Sequence, residues 1–146
     1  MSDPIPYTND LFEKANYIGN KRRFASYIVN KFPEGTKIVF DPMCGCSAVL
    51  IEAARKGMRV KGNDLSPVAY WYSKGIFEGA PLSEQDGENL LKVSPHSGWL
   101  TTKWKGMYPR KVEIRKFIDG LMVRVKRFQG TKRLTAQAVA SRLLQT

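Results

Sequence analysis

A chain of 146 residues with 24 Lys+Arg against 13 Asp+Glu, a formal net charge of +11, suits one domain and favours phosphate-bearing partners. Two cysteines and one histidine are too few for a disulfide framework or a structural zinc set, and no uninterrupted apolar run approaches the ~20 residues of a membrane span. Ser2-Asp3-Pro4-Ile5-Pro6 lacks a signal-peptide pattern, and the two thiols read as reduced, so a cytoplasmic compartment is expected.

Residues 1–16 form a Pro-containing, mildly amphipathic lead-in. Lys21-Arg22-Arg23, taken alone, reads as the solvated basic face of a helix. Next comes a β-branched run, Ile38, Val39 and Phe40, which ends in Asp41-Pro42. A compact Cys44-Gly45-Cys46 turn follows, and apolar residues at helical spacing begin at Ser47. The pattern predicts strand, tight turn, helix. Gly45 suits the turn because a residue without Cβ accepts a left-handed conformation and lets backbone approach a ligand. The helix start offers unpaired N–H groups and favours a carboxylate or phosphate. A second short run, Arg59 to Lys61, delivers Gly62-Asn63-Asp64 to the end of the second strand of a βαβ unit, where Asp64 can meet ribose hydroxyls. The G-x-G-x-x-G fingerprint is absent, which favours a cofactor smaller than a dinucleotide and disfavours an NAD(P)-linked oxidoreductase. An ordinary βα turn is the plain alternative.

Ser66 and Pro67 mark a helix start, as cap and first helical residue. The consecutive aromatics Tyr70, Trp71 and Tyr72 cannot share one face of that helix. Gly79-Ala80-Pro81-Leu82-Ser83 reads as a break, and 82–108 as a polar, glycine-punctuated connection. Within it Trp99 and Trp104, interleaved with Lys103 and Lys105, could stack on bases, although such spacing is common. Pro109 opens a helix whose apolar residues Ile114, Phe117, Ile118, Leu121, Met122, Val125 and Phe128 recur every three or four positions. Gly120 weakens its centre by about 1 kcal/mol relative to alanine, and Gly130 is placed to stop it. Leu134 to Leu144 is a second helix, better read as ordinary packing than as the start of a helix-turn-helix module.

Charge is uneven. Residues 1–92 hold 12 Lys+Arg against 11 Asp+Glu, whereas 93–146 hold 12 against 2, so nearly all the excess is C-terminal. DNA is the leading partner for such a region, RNA a lesser one, and an acidic partner subunit the alternative. Arg115, Lys116, Lys126 and Arg127 are the cations expected at phosphates.

Asp41-Pro42-Met43-Cys44-Gly45-Cys46-Ser47, with Asn63-Asp64, resembles the Asp-Pro-Phe-x-Gly-x-Gly motif and following Asn-Asp of the AdoMet-dependent amino methyltransferases. Tyr17-Ile18-Gly19-Asn20-Lys21 resembles the Tyr-x-Gly-x-Lys segment that opens adenine-N6 DNA methyltransferases. Ser47 stands where the motif has its second glycine. The resemblance implies S-adenosyl-L-methionine (AdoMet) as cofactor, with Tyr17, Gly19 and Lys21 bordering its methionine end and Lys21 or nearby backbone answering its carboxylate. It further implies that Asp41, Met43 and Gly45 line the methionine side, that Asp64 binds the ribose hydroxyls and that Leu65 flanks the adenine. The implied architecture is α/β, a partial Rossmann-like class I methyltransferase fold with an open, mostly parallel sheet and flanking helices, followed by basic C-terminal helices.

Enzymes of this kind also carry an Asn/Asp/Ser-Pro-Pro-Tyr/Phe/Trp motif that grips the target amino group. No Pro-Pro occurs in this sequence, and Ser94-Pro95-His96-Ser97 lacks the second proline and the aromatic, so no catalytic residue is assigned. Only two strands are legible where the fold resembled needs seven. The expectation is the cofactor-binding portion of a DNA amino-methyltransferase: 1–80 as the AdoMet unit, 81–108 as a connection, and 109–146 as basic helices starting a target-recognition or partner-binding segment. The catalytic motif would come from a second polypeptide, unless truncation removed it, and open sheet edges would recruit that partner or another copy of the chain. The alternative is a non-catalytic nucleic-acid-binding or interaction subunit that retains an AdoMet-like pocket.

Overall fold

A computed structural model describes residues 19–103 and 111–143. A short 3-10 turn, Arg22–Phe24, leads into α1 (Ala25–Val29). Strands β1 (Ile38–Asp41) and β2 (Arg59–Gly62) lie parallel, with Val39 opposite Val60 and Asp41 opposite Gly62. Parallel neighbours need a crossover, here α2 (Ala48–Arg55), which buries Leu50 and Ala53 on its inner side. Alternation along β1 leaves Ile38 and Phe40 exposed and Val39 half-buried. Among the described residues the sheet has two strands, so each strand keeps an unpaired edge.

Helix α3 (Pro67–Glu78) starts as its sequence predicts: the Ser66 hydroxyl accepts from the Ala69 N–H at 3.4 Å, and Pro67 occupies the first turn. Ala69, Tyr72, Ser73 and Ile76 form its buried face. The aromatic triplet divides accordingly, with Tyr72 buried, Trp71 half-buried and Tyr70 exposed. Tyr72 and Ile76 pack with Cys46, Ile51 and Phe77, which fixes α3 against the loop that follows β1.

The segment expected as a connection holds two helices, α4 (Glu84–Leu91) and α5 (Trp99–Thr102). A capping box starts α4: the Ser83 hydroxyl accepts from Asp86 N–H at 3.1 Å, and the Asp86 carboxylate accepts from Ser83 N–H at 3.0 Å. The Lys132 ammonium, 2.6 Å away, together with the Ser83 hydrogen bonds brings the Asp86 carboxyl down to about 2. This pair joins α4 to α7 (Gly130–Leu143).

Helix α6 spans Val112–Val125, and Pro109 lies outside the described residues. The helix does not run on to Gly130. Arg127 and Phe128 N–H groups bond back to the Arg124 and Val125 carbonyls in a tight turn, which folds Phe128 toward the core, and Gly130, at φ +54°, begins α7. Ile118, Leu121 and Val125 are buried, but Ile114, Phe117 and Met122 stay more than a third exposed, so the apolar stripe is only partly covered. Leu90 of α4, Leu121 and Val125 of α6, and Ala136 and Ala140 of α7 form one core. On its other side α7 meets α3, with Ala138 close to Gly75. Packing on two sides explains why α7 lacks a single apolar stripe. No described helix is long and apolar enough to cross a membrane.

Asp119, in the middle of α6, is buried yet charged. Its carboxylate accepts from the N–H groups of Gly98, Leu100 and Thr101 at 2.9–3.0 Å and from the Thr101 hydroxyl at 2.6 Å. Burial alone would raise this carboxyl, but the hydrogen bonds outweigh it and hold the group below the ordinary carboxylate range. Residues 93–98 cross α6 just beside it. His96 N–H donates to the Lys116 carbonyl at 3.1 Å, and a Cβ at Gly120 would strike the Ser94 carbonyl oxygen and lie 2.6 Å from Val93 Cγ1.

That approach reverses the sign expected from helix propensity. Gly120→Ala would gain about 1 kcal/mol in an isolated helix, whereas overpacking against backbone costs roughly 1–3 kcal/mol. The variant should unfold at lower urea concentration than wild type. A raised midpoint would contradict the close crossing.

Candidate cofactor site

The loop between β1 and α2 is set by three features. The parallel ladder continues beyond the strands, with Asn63 N–H donating to the Asp41 carbonyl and Cys44 N–H to the Asn63 carbonyl, both at 2.9 Å. Gly45 takes φ +53°, the left-handed region that its lack of Cβ allows. Asp64 then spans the two loop ends: Oδ2 accepts from Gly45 N–H at 2.7 Å and Oδ1 from Ser66 N–H at 2.8 Å. A carboxylate has about four lone-pair positions, so two remain for further donors such as hydroxyls.

Ser47 is the one non-glycine residue with positive φ among those described, at +58°. It occupies the motif position where the resembled enzymes have glycine, and the backbone shows why glycine suits it. The serine is held there by its side chain. Its buried hydroxyl donates to Ser73 Oγ at 2.7 Å, and the Ser73 hydroxyl donates to the Gly45 carbonyl at 3.1 Å, coupling loop to α3.

These elements enclose a cavity of about 570 Å³, within the ~300–1,000 Å³ usual for small-molecule sites. Gly19, Lys21, Asp41, Met43, Gly45 and Asp64 all line it. Tyr17 lies outside the described residues, and Leu65 is 93% exposed and not part of the lining. Met43 is 80% exposed at the rim. Lys21 reaches back to the Gly19 carbonyl at 3.2 Å, and Asp41 Oδ1 accepts from Met43 N–H at 3.0 Å. Sequence reasoning missed further lining residues, among them Asn20, Ile28, Phe32 and Phe40. The four-residue interval between Ile28 and Phe32 was the available signal, masked by the basic run before it.

The site combines a cation, two carboxylates, an apolar wall and a loop shaped by glycine. Such a set suits a zwitterionic ligand with hydroxyl and apolar parts, and therefore fits AdoMet. Burial pushes the Cys46 thiol up, so it remains a neutral packing group. No cluster of three or more metal-ligating side chains occurs among the described residues.

The four cations expected at phosphates occupy unlike positions. Lys126 and Arg127 are exposed, whereas Arg115 and Lys116 are half-buried in the helix crossed by residues 93–98. Arg124 is bound structurally, donating twice to the Asn89 carbonyl at 2.9 and 2.6 Å.

Comparison with known proteins identifies the family. The model of the D12 class N6 adenine-specific DNA methyltransferases matches residues 17–108. The chain belongs to this family. It is 25% identical over 139 residues to Type II methyltransferase M2.HphI of Haemophilus parahaemolyticus, covering 94% of this chain and 40% of that protein. It is also 32% identical over 77 residues to a tRNA (guanine(37)-N(1))-methyltransferase of Trichomonas vaginalis, covering 49% of this chain and 20% of that one. The chain thus spans less than half the length of either relative. No solved structure matches it.

The strained serine supplies a test of the loop. A non-glycine residue in left-handed backbone costs about 1–2 kcal/mol, and the hydroxyl contact offsets about 1 kcal/mol. Ser47→Gly should therefore stay within about 1 kcal/mol of wild type, whereas Ser47→Ala keeps the strain, loses the contact and should be less stable than Ser47→Gly by about 1–2 kcal/mol. Denaturant unfolding measures both. Equal stability of the two variants would contradict the left-handed assignment.

Proposed function

We propose that this chain is the AdoMet-binding portion of a DNA amino-methyltransferase acting on an exocyclic amino group of a base, in a partial Rossmann-like class I arrangement. The observation that carries the reading is the clasp of Asp64 on Gly45, which brings both motif segments onto one cavity beside Gly19 and Lys21. Lys21 would answer the methionine carboxylate, Asp41 and Gly45 would line the methionine side, and Asp64 would use its remaining lone pairs on the ribose hydroxyls. When bound, AdoMet supplies an already activated sulfonium methyl. The protein's task is then to orient it and exclude water.

Membership of the family supports DNA as the partner, and the charge of residues 93–146 supports it independently. Residues 1–80 would be the AdoMet unit, and 109–146 the start of a target-recognition or partner-binding segment. No Pro-Pro occurs in the sequence, so the residues that hold the target amino group would lie on a second polypeptide or on sequence outside these 146 residues. Among the described residues β1 keeps an unpaired edge, which would give such a partner a place to extend the sheet. A cytoplasmic location fits a chain acting on DNA.

Titration calorimetry on the purified chain should show AdoMet or its demethylated product binding, and Asp64→Ala should weaken it by about 1.5–3 kcal/mol, the range for hydrogen bonds to a charged group. The same preparation should transfer no methyl to DNA by itself. Undetectable binding at millimolar ligand in a folded protein would overturn the cofactor assignment. Robust transfer by the chain alone would overturn the need for a partner.

A further inference from the structure

We infer that the cavity between α4 and the turn after α6 is a phosphate subsite that takes one nucleotide unit of the DNA backbone; the inference rests on the DNA reading above and gives it a place on the molecule. Asp86 and Asn89 of α4, Arg124 of α6, and Arg127 and Phe128 of the turn line a space of about 440 Å³. That is far above the ~30 Å³ share of one water molecule and within the range usual for small-molecule sites. A phosphate can therefore enter with its sugar attached.

The two arginines have different parts in it. Arg124 donates from Nε and Nη2 to the Asn89 carbonyl at 2.9 and 2.6 Å, which fixes the plane of its guanidinium and leaves the Nη1 donors over. Arg127 is exposed, and among the described residues its guanidinium has no hydrogen-bond or ion-pair partner. One cation is fixed and the other is free. The one acid of the lining does not cancel them, because the Asp86 carboxylate is already held by the Lys132 ammonium at 2.6 Å and by the Ser83 N–H at 3.0 Å. A planar guanidinium matches phosphate oxygens in pairs. Phe128, half-buried against the core, gives the sugar an apolar surface. Membership of a DNA methyltransferase family favours nucleic acid over an acidic protein as the bearer of the anion.

Fluorescence anisotropy of a labelled duplex, titrated with the full chain over a range of salt, tests the site. Arg127→Gln should lower the log–log salt slope by about 0.9, the value of one phosphate contact. Arg127→Lys keeps the charge without the planar fork, so it should retain the slope at reduced affinity. Lys37→Gln, in the cofactor half, should leave both unchanged. Circular dichroism matching wild type establishes that each variant is folded. In amide NMR the duplex should shift Asn89, Arg124, Arg127 and Phe128 at a lower phosphate concentration than inorganic phosphate does, and Arg127→Gln should abolish those shifts. Wild-type affinity and slope in Arg127→Gln would overturn the subsite while leaving DNA binding intact. Inorganic phosphate acting at the same concentration as the duplex would make this a free-anion site, and polyglutamate doing so would make it a site for an acidic protein; either result overturns the inference. No duplex binding by wild type at low salt would instead overturn the DNA reading itself.

Discussion

The Asp64 carboxylate is the constraint on which the cofactor half depends. One oxygen holds the Gly45 N–H and the other holds the Ser66 N–H, so a single side chain fixes the loop after β1 and the start of α3 together. A two-stranded parallel sheet has little backbone pairing to align its C-terminal loops. Charge-assisted hydrogen bonds, each worth about 1.5–3 kcal/mol, supply what the short ladder does not. The Ser47–Ser73–Gly45 relay fastens the same loop to α3 from behind. Cavity shape, loop strain and the placement of Gly19 and Lys21 on the same cavity then belong to one arrangement.

The basic half is organised by its acids and by the acids that face it. Asp119 mounts α5 on α6, and Asp86 of α4 takes Lys132 of α7. Arg124 is likewise used on the Asn89 carbonyl. These contacts leave Lys103, Lys126 and Arg127 toward solvent, which is how a chain with net charge +11 can fold compactly and still present cations to a polyanion.

The strand, turn, helix and strand of the cofactor unit were legible because each has a local cause: β-branched residues, a single glycine at positive φ, and the Ser66-Pro67 start. The Asn63-Asp64 pair could be placed at a strand end for the same reason. Helix α4 was not legible, since Gly87 and its polar surface leave Leu90 as its one buried side chain, although Ser83 and Asp86 already spelled its capping box. Gly120 carried the wrong energetic sign because the residue it accommodates, Ser94, is distant in sequence. The Asp119 mount was invisible for that reason too, as was the Ile28 and Phe32 wall. Ser47 looked like a departure from a motif, and only its backbone angle shows that the position keeps the geometry glycine would have.

The central claim is that the Gly45 loop, Asp64 and the Gly19–Lys21 segment form one AdoMet site. Two-dimensional amide NMR of the isotopically labelled chain, titrated with the demethylated product of AdoMet, tests it at residue level. The account predicts saturable shifts at Gly19, Lys21, Gly45 and Asp64, with little change at Gly130 and Lys132, at the end of α7 that pairs with Asp86 of α4. Shifts confined to α6 and α7, or none at millimolar ligand in a folded protein, would contradict it.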